Sequence, residues 1–556
     1  MKSVRNTLAI ILLVLLVLGG CRNNNSNIET RSQTVSGAWS GSFLDPNLEL
    51  TIDLKVSESN SQIGSVRLKE SGILIQNDPL SDLNIQHNDI TFTIPDKSTT
   101  FQGHFEKELS ELVGIFRFPD GTEHPYTGLI SLDPDHRDPS SKIILSQTHI
   151  QEDITYLDSL LRKHHPALFQ YQTEKEYLSS LERLTQAPDT DTDVELFYRL
   201  LAPVVAGIGC SHTIIEPPGV NYDQSDYMSE PILACEAGHL YLNSQYLSNS
   251  TSDIPAQVTM INGYSSKELI NILYEGIPAD ASNAGYKYWF INNHMDQLLM
   301  SLADVNSPYQ IESIIDGKKR IDTLSVLTIS PQNNKTVDPS KGNQLPYQLE
   351  VDEKLKFARL TIRGFAAPDP LRYINDLHEF FQILKDRKIE KMVVDVRGNP
   401  GGHPLFAAEL LKFLIPDSFN YFDSTLENME LQPLTVPHIP SDVVFKGKVA
   451  VLIDPGCTST TAQFISILKA NRETTLIGQP TGAGYQCNDY AFRSVLPNSK
   501  LVVHIPRQQF RTVVPDTSKT TIIEPDMIVK PALFTNSDSP DLMLQAAYGF
   551  LSGDGL

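Results

Sequence analysis

The chain has 556 residues, 40 % of them hydrophobic and 20 % charged, which is ordinary globular composition spread over more length than one core can fill. Roughly three to four domains are expected. A formal net charge of −22 argues against nucleic-acid binding and against electrostatic adhesion to anionic lipid.

Residues 1–21, MKSVRNTLAIILLVLLVLGGC, place Lys2 and Arg5 before an apolar run from Leu8 to Leu18. That run is shorter than the ~20 residues a membrane span needs, and it suits a signal-peptide core. It ends Leu18-Gly19-Gly20-Cys21, which resembles the lipobox of bacterial lipoproteins. The resemblance implies cleavage before Cys21, lipid attachment at Cys21 and export to the cell envelope, periplasmic or on the outer surface. Residues 22–36 are polar and read as a tether.

From Gly37 to about 133, short segments such as ELTIDLKVS, GSVRLKE, DITFTIP and LVGIFRFP alternate apolar and polar residues between turn formers. They predict an all-β accessory domain, a sandwich or barrel. DPDHRDPSSK then reads as a linker. THIQEDITYLDSLLRKHHPALF, EKEYLSSLERL and DVELFYRLLAPVVAGI carry apolar residues at three- and four-residue steps, so 146–215 reads as a helical segment. His164 and His165 are adjacent and would diverge on a helix, which makes them packing or surface residues. Residues 216–350 mix strands and helices, with Asn262-Gly263 as a turn inside QVTMINGYSSKELINILYEGI.

Strands and helices alternate most regularly in 351–540: LKFARLTIRGF, LRYINDLHEFFQILKDRK, KMVVDV, PLFAAELLKFLI, KVAVLID, TAQFISILKAN, TTLIG and SKLVVHIP. Short links between such elements predict a mostly parallel sheet covered by helices, with any site at the carboxyl ends of its strands. Two loops leave those ends. Arg397-Gly398-Asn399-Pro400-Gly401-Gly402 lacks the Lys-Ser/Thr of a phosphate loop, so a tight turn or an oxyanion hole of bare amides remains. Gly456-Cys457-Thr458-Ser459-Thr460-Thr461 precedes a helix, where a hydroxyl could cap the helix or be presented as a nucleophile. The inward face of that helix is predicted as Ala462, Ile465 and Leu468, or Phe464, Ile467 and Leu468. Cys210, Cys235, Cys457 and Cys487 form no CxxC pair, so a zinc or redox motif is disfavoured, while one or two disulfides are open in an oxidising compartment.

VVDVRGNPGG, VAVLIDPGCTSTTAQF, LIGQPTGAG and IIEPDMIV, in this order, resemble the C-terminal processing (tail-specific) family of serine peptidases. With Gly207-Ile208-Gly209-Cys210-Ser211-His212-Thr213 and a PDZ-like stretch, the resemblance extends over about 150–535. It implies a multidomain α/β fold: a ClpP/crotonase-like core, a PDZ-like insert, a helical cap and the accessory β domain. Ser459 takes the family's nucleophile position, and the amides of Gly401, Gly402 and Thr460 are the implied oxyanion donors. No lysine follows Gly478-Gln479-Pro480-Thr481, which departs from the Ser/Lys members. Ser211-His212-Thr213 is similar instead to the Ser/His branch, related to the tricorn core protease and retinoid-binding-protein-like members. His212 is then the implied general base and Ser211 the serine that orients it. The family's acid matches Lys519, leaving Glu524 as the preferred substitute and Asp516 as the second.

The implied activity is peptide-bond hydrolysis through an acyl-enzyme on Ser459, acting on exported protein or peptide substrates. No metal or organic cofactor is required. A catalytically inactive, lipid-anchored peptide-binding protein of the same fold is the alternative.

Overall fold

The structure is a computed structural model describing residues 37–553 other than 44, 57–61, 71–72, 87, 95–98, 107–110, 120, 132–142, 186–191, 219–229, 248–253, 330–345, 355, 368, 427, 429–430 and 535–538. The signal-peptide, tether and Cys21 readings lie outside the described residues, as does nearly all of the Pro/Asp-rich linker. Among the described residues no helix is long and apolar enough to cross a membrane.

Nine antiparallel strands, from Gly37–Phe43 to Glu123–Ser131, build the N-terminal domain. The first and last strands of the sheet, Ile73–Pro79 and Ser81–Gln86, are separated only by Leu80, so the chain joins the two edges of the sheet at that point. Alternation points Phe92, Phe101, Phe116 and Tyr126 inward, where their rings stack 4.6–6.0 Å apart.

Helix α1 (Gln147–His164) starts at a reciprocal cap between Ser146 and His149 and stops before Pro166, as the proline demands. His165 is buried, hydrogen-bonded to Thr213 at 3.0 Å, and is a packing residue. Helices α2 (Glu174–Thr185) and α3 (Val194–Ala206) follow. Residues 233–324 form an antiparallel sheet with α4 (Ser266–Gly276), α5 (Ala284–Asn293) and α6 (Met295–Ala303) packed about it. Leu157, Leu201, Leu269, Leu299 and Val503 belong to one apolar cluster. The helical and mixed segments therefore share a core instead of forming two separate ones.

The third unit is the predicted α/β core. Its strands run in the order Tyr347–Asp352, Phe357–Ile362, Lys391–Asp395, Lys448–Ile453, Thr475–Gly478 and Met527–Ile528. Only the first pair is antiparallel. Helices α7 (Pro370–Asp386), α8 (Pro404–Leu414) and α9 (Ser459–Asn471) belong to this unit, and α8 packs against α7 and α9. α10 (Leu542–Ser552) sets Met543, Ala546 and Leu551 against Val393, Leu452 and Ile477. Two expectations change. SKLVVHIP does not extend the parallel sheet; Val502–Ile505 pairs antiparallel with Ile214–Ile215 and Phe492–Val495. Helix α9 has no single inward face, because every residue from Ser459 to Leu468 is buried.

Candidate active site

Both predicted loops leave the carboxyl ends of adjacent parallel strands, and they lie against each other. Gly398, Gly401 and Gly402 adopt φ of 67°, 114° and 127°, a region that L side chains rarely enter. Buried Asn399 sets the loop's shape. Its Nδ2 donates to the Ile362 carbonyl at 3.2 Å and its Oδ1 accepts from the Gly401 amide at 2.9 Å. The Gly401 amide is thereby occupied, which removes it from the predicted oxyanion donors. Gly402 and Thr460 keep backbone amides without a hydrogen-bond partner among the described residues, and Thr460 heads the first turn of α9, where such amides are left free.

The four hydroxyls at the start of α9 sort by what they touch. Thr458, in the capping position, makes no cap bond; its Oγ1 donates to the Pro400 carbonyl at 3.0 Å. Thr460 donates to the Gly402 carbonyl at 2.5 Å. Thr461 Oγ1 is buried without a partner. Ser459 alone has φ of +48°, an unfavourable conformation for a residue with a Cβ, and its hydroxyl has no hydrogen-bond partner among the described residues. Capping is therefore not its role. Cys457 is fully buried, with Sγ 3.1 Å from the Val396 carbonyl, and burial pushes its thiol well above the ordinary range. It cannot serve as a thiolate at neutral pH.

A buried carboxylate that sequence reasoning missed ties the two loops together. Asp454 Oδ1 accepts from the Gly398 amide at 2.8 Å and the Gly456 amide at 3.1 Å, and burial raises its pKa.

The histidine cluster follows α3. Ser211 Oγ lies 3.1 Å from His212 Nδ1, as the pairing predicts. The opposite nitrogen, Nε2, lies 3.4 Å from Asp489 Oδ2. Asp280 accepts from the Ser211 amide at 2.8 Å. Its other oxygen is buried and unpartnered, and burial raises its pKa above the usual carboxylate range. Glu524 is exposed and makes no hydrogen bond or ion pair among the described residues. Asp516 is exposed and paired with Lys519 at 2.7 Å. The carboxylates beside Ser211 and His212 are thus Asp280 and Asp489. Neither carries a local sequence signature, since each reaches His212 only through tertiary folding.

Ser459 and His212 share no hydrogen bond. They come from separate segments that meet through α9: Gln463, one turn beyond Ser459 on the same face, donates from Nε2 to Cys487 Sγ at 3.2 Å. Cys487 stands two residues before Asp489 on the strand Gln486–Asp489. The four described cysteines are all free and buried, so no disulfide forms among them. No group of three metal-ligating side chains occurs among the described residues.

Residues 356–529 match the family model described as peptidase family S41. No curated protein matches the chain. Among solved structures, mature CPAF is similar at 14 % identity and TM-score 0.47, over 69 % of this chain and 92 % of that one. The photosystem II D1 C-terminal processing protease is similar at 12 % and TM-score 0.35, over 69 % and 93 % of the two chains. An S41 protease from Bacteroides fragilis is similar at 17 % and TM-score 0.36, over 72 % and 98 %. The glycine loop, the Ser459 turn and the five parallel strands of the α/β core all fall within the matched segment, and it is this segment that matches peptidase family S41.

Proposed function

We propose that the chain is an exported, lipid-anchored endopeptidase that cleaves protein or peptide substrates through Ser459. The observation that carries the reading is the unbonded Ser459 hydroxyl, held at φ +48° beside the free amides of Gly402 and Thr460. A serine hydroxyl needs a neighbouring base to become a nucleophile, and His212 supplies it.

His212 Nε2 takes the Ser459 proton as Oγ attacks the scissile carbonyl. The resulting oxyanion accepts from the Gly402 and Thr460 amides, where losing one donor typically costs about 10²–10³ in rate. Asp489 offsets the charge of the imidazolium at the nitrogen that received the proton. Ser211 orients the other nitrogen, and Asp280 fixes the Ser211 backbone. The imidazolium then protonates the leaving amine, and water, deprotonated by His212, hydrolyses the ester. His212 and Ser459 share no hydrogen bond in this structure, so this step requires them to draw together once substrate is bound. The PDZ-like stretch, with its antiparallel sheet over 233–324, suits recognition of an extended chain end by strand addition.

Incubating the purified protein with an unfolded protein substrate tests this. The wild type should cleave it, and Ser459→Ala and His212→Ala should each lower the rate at least about 10³-fold. Wild-type binding without cleavage would favour the inactive peptide-binding reading.

A further inference from the structure

We infer that Asp541, the residue that caps the C-terminal helix, is a positioning residue for the oxyanion loop, acting through Arg397. The inference rests on the reading of Gly402 as an oxyanion donor. Asp541 lies beyond the segment that matches the family model, on an element to which no role has been attached.

Arg397 is the first residue of the glycine loop, and its guanidinium is held by two carboxylates at once. Nη1 and Nη2 donate to Asp541 at 3.0 and 2.7 Å, while Nε and Nη2 donate to Asp395 at 2.9 and 2.8 Å. Its main chain is fixed as well: the amide donates to Asp395 at 3.2 Å, and the carbonyl accepts from Arg363 at 2.7 Å. The next amide, of Gly398, is the one bound by Asp454. Asp395 also takes Arg359 and Arg363, so three guanidinium groups surround one fully buried carboxylate. Asp541 supplies the second negative charge. A forked guanidinium bound on both sides keeps one orientation, so the loop's first residue is held against the sheet.

Asp541 is itself rigid. It accepts from the Leu544 amide at 3.0 Å as the α10 cap, and α10 is seated on the sheet through Met543, Ala546, Ala547 and Leu551. The carboxylate thus couples a docked helix to the loop that carries the Gly402 amide.

Asp541→Asn separates the two roles, because asparagine caps a helix as well as aspartate but carries no charge. Asp541→Ser is the second cap-retaining variant. The rate of labelling by a fluorophosphonate probe, kcat and KM on a peptide substrate, and the melting temperature are measured in each. Both variants should lose at least about tenfold in kcat and in labelling rate, with KM within about twofold, since small displacements of a reacting geometry cost that much. Asp541→Glu, which keeps the charge but is a weaker cap, should restore part of the loss in kcat and labelling rate. Wild-type values in both cap-retaining variants would show Asp541 to be a helix cap only. A wild type that takes no label would sink the Ser459 reading and this inference with it.

Discussion

A Cβ placed on Gly401 would lie 2.8 Å from the Ser459 Cβ and 3.2 Å from its Oγ. Real side-chain contacts do not come so close, and Gly401 has φ of 114° in addition. The glycine is required by the Ser459 side chain it faces. Gly401→Ala should therefore lower the fluorophosphonate labelling rate at least about 10²-fold. The check is labelling at matched protein concentration, with circular dichroism to establish that the variant is folded. Undiminished labelling would mean that the loop and Ser459 are not packed in this way.

Asp280 is predicted to trade stability for activity. Its folded pKa lies above the unfolded value, so folding favours the protonated carboxyl. That contribution is present below about pH 3.9 and is lost as pH rises through the folded pKa. At neutral pH the ionised group is a burden on the fold. Asp280→Asn keeps an acceptor for the Ser211 amide, so its melting temperature at pH 7 should equal or exceed that of the wild type, with the difference vanishing near pH 4. Its kcat/KM should fall at least about tenfold, because the support beneath Ser211 and His212 is weakened. Melting curves at the two pH values and steady-state kinetics decide it.

Asp395 has the opposite sign. Burial pushes its carboxyl up, but Arg397 and Arg363 together outweigh it and hold the group far below the usual range. The stabilisation is complete above about pH 4 and is lost only as pH falls through the depressed folded pKa. Asp395→Asn leaves buried positive charge uncompensated and should cost about 3–5 kcal/mol at pH 7. Urea titrations of both proteins should give a constant difference from pH 7 to 5 that shrinks on further acidification. A pH-independent difference would point to a packing effect instead.

The described thiols should be inert in the native state. Burial pushes Cys210 and Cys235 up to about 12, and Cys457 and Cys487 well above the ordinary value. Iodoacetamide at neutral pH should neither inactivate the enzyme nor modify Cys457 on mass-spectrometric mapping, and all four should react in denaturant. Inactivation coupled to Cys457 alkylation would point to Cys457 as the nucleophile in place of Ser459.

Much of the core was legible because its signals are local. Strand, glycine turn and helix follow one another within about twenty residues at both loops. The role of Ser459 was not legible in its own stretch, where four hydroxyls and a thiol competed. The glycine loop engages Thr458 and Thr460, and Ser459 is set apart from the equally unbonded Thr461 by its φ of +48°. The carboxylates near His212 were not legible. Glu524 was preferred for its place beside Pro525-Asp526, yet it is solvent-exposed, and Asp280 is 69 positions from the serine whose amide it accepts. Gly401 was read as a donor because it is a glycine in the right loop; Asn399 takes its amide, which no pattern in RGNPGG reveals.

The central claim is that Ser459 is the nucleophile, and the most direct measurement is the site of covalent attachment. The wild-type protein is reacted with a fluorophosphonate, digested and mapped by mass spectrometry. The account predicts stoichiometric modification of the peptide bearing Ser459, none in Ser459→Ala, and a slowed rate in His212→Ala. Modification at another residue, or labelling that persists in Ser459→Ala, would contradict it.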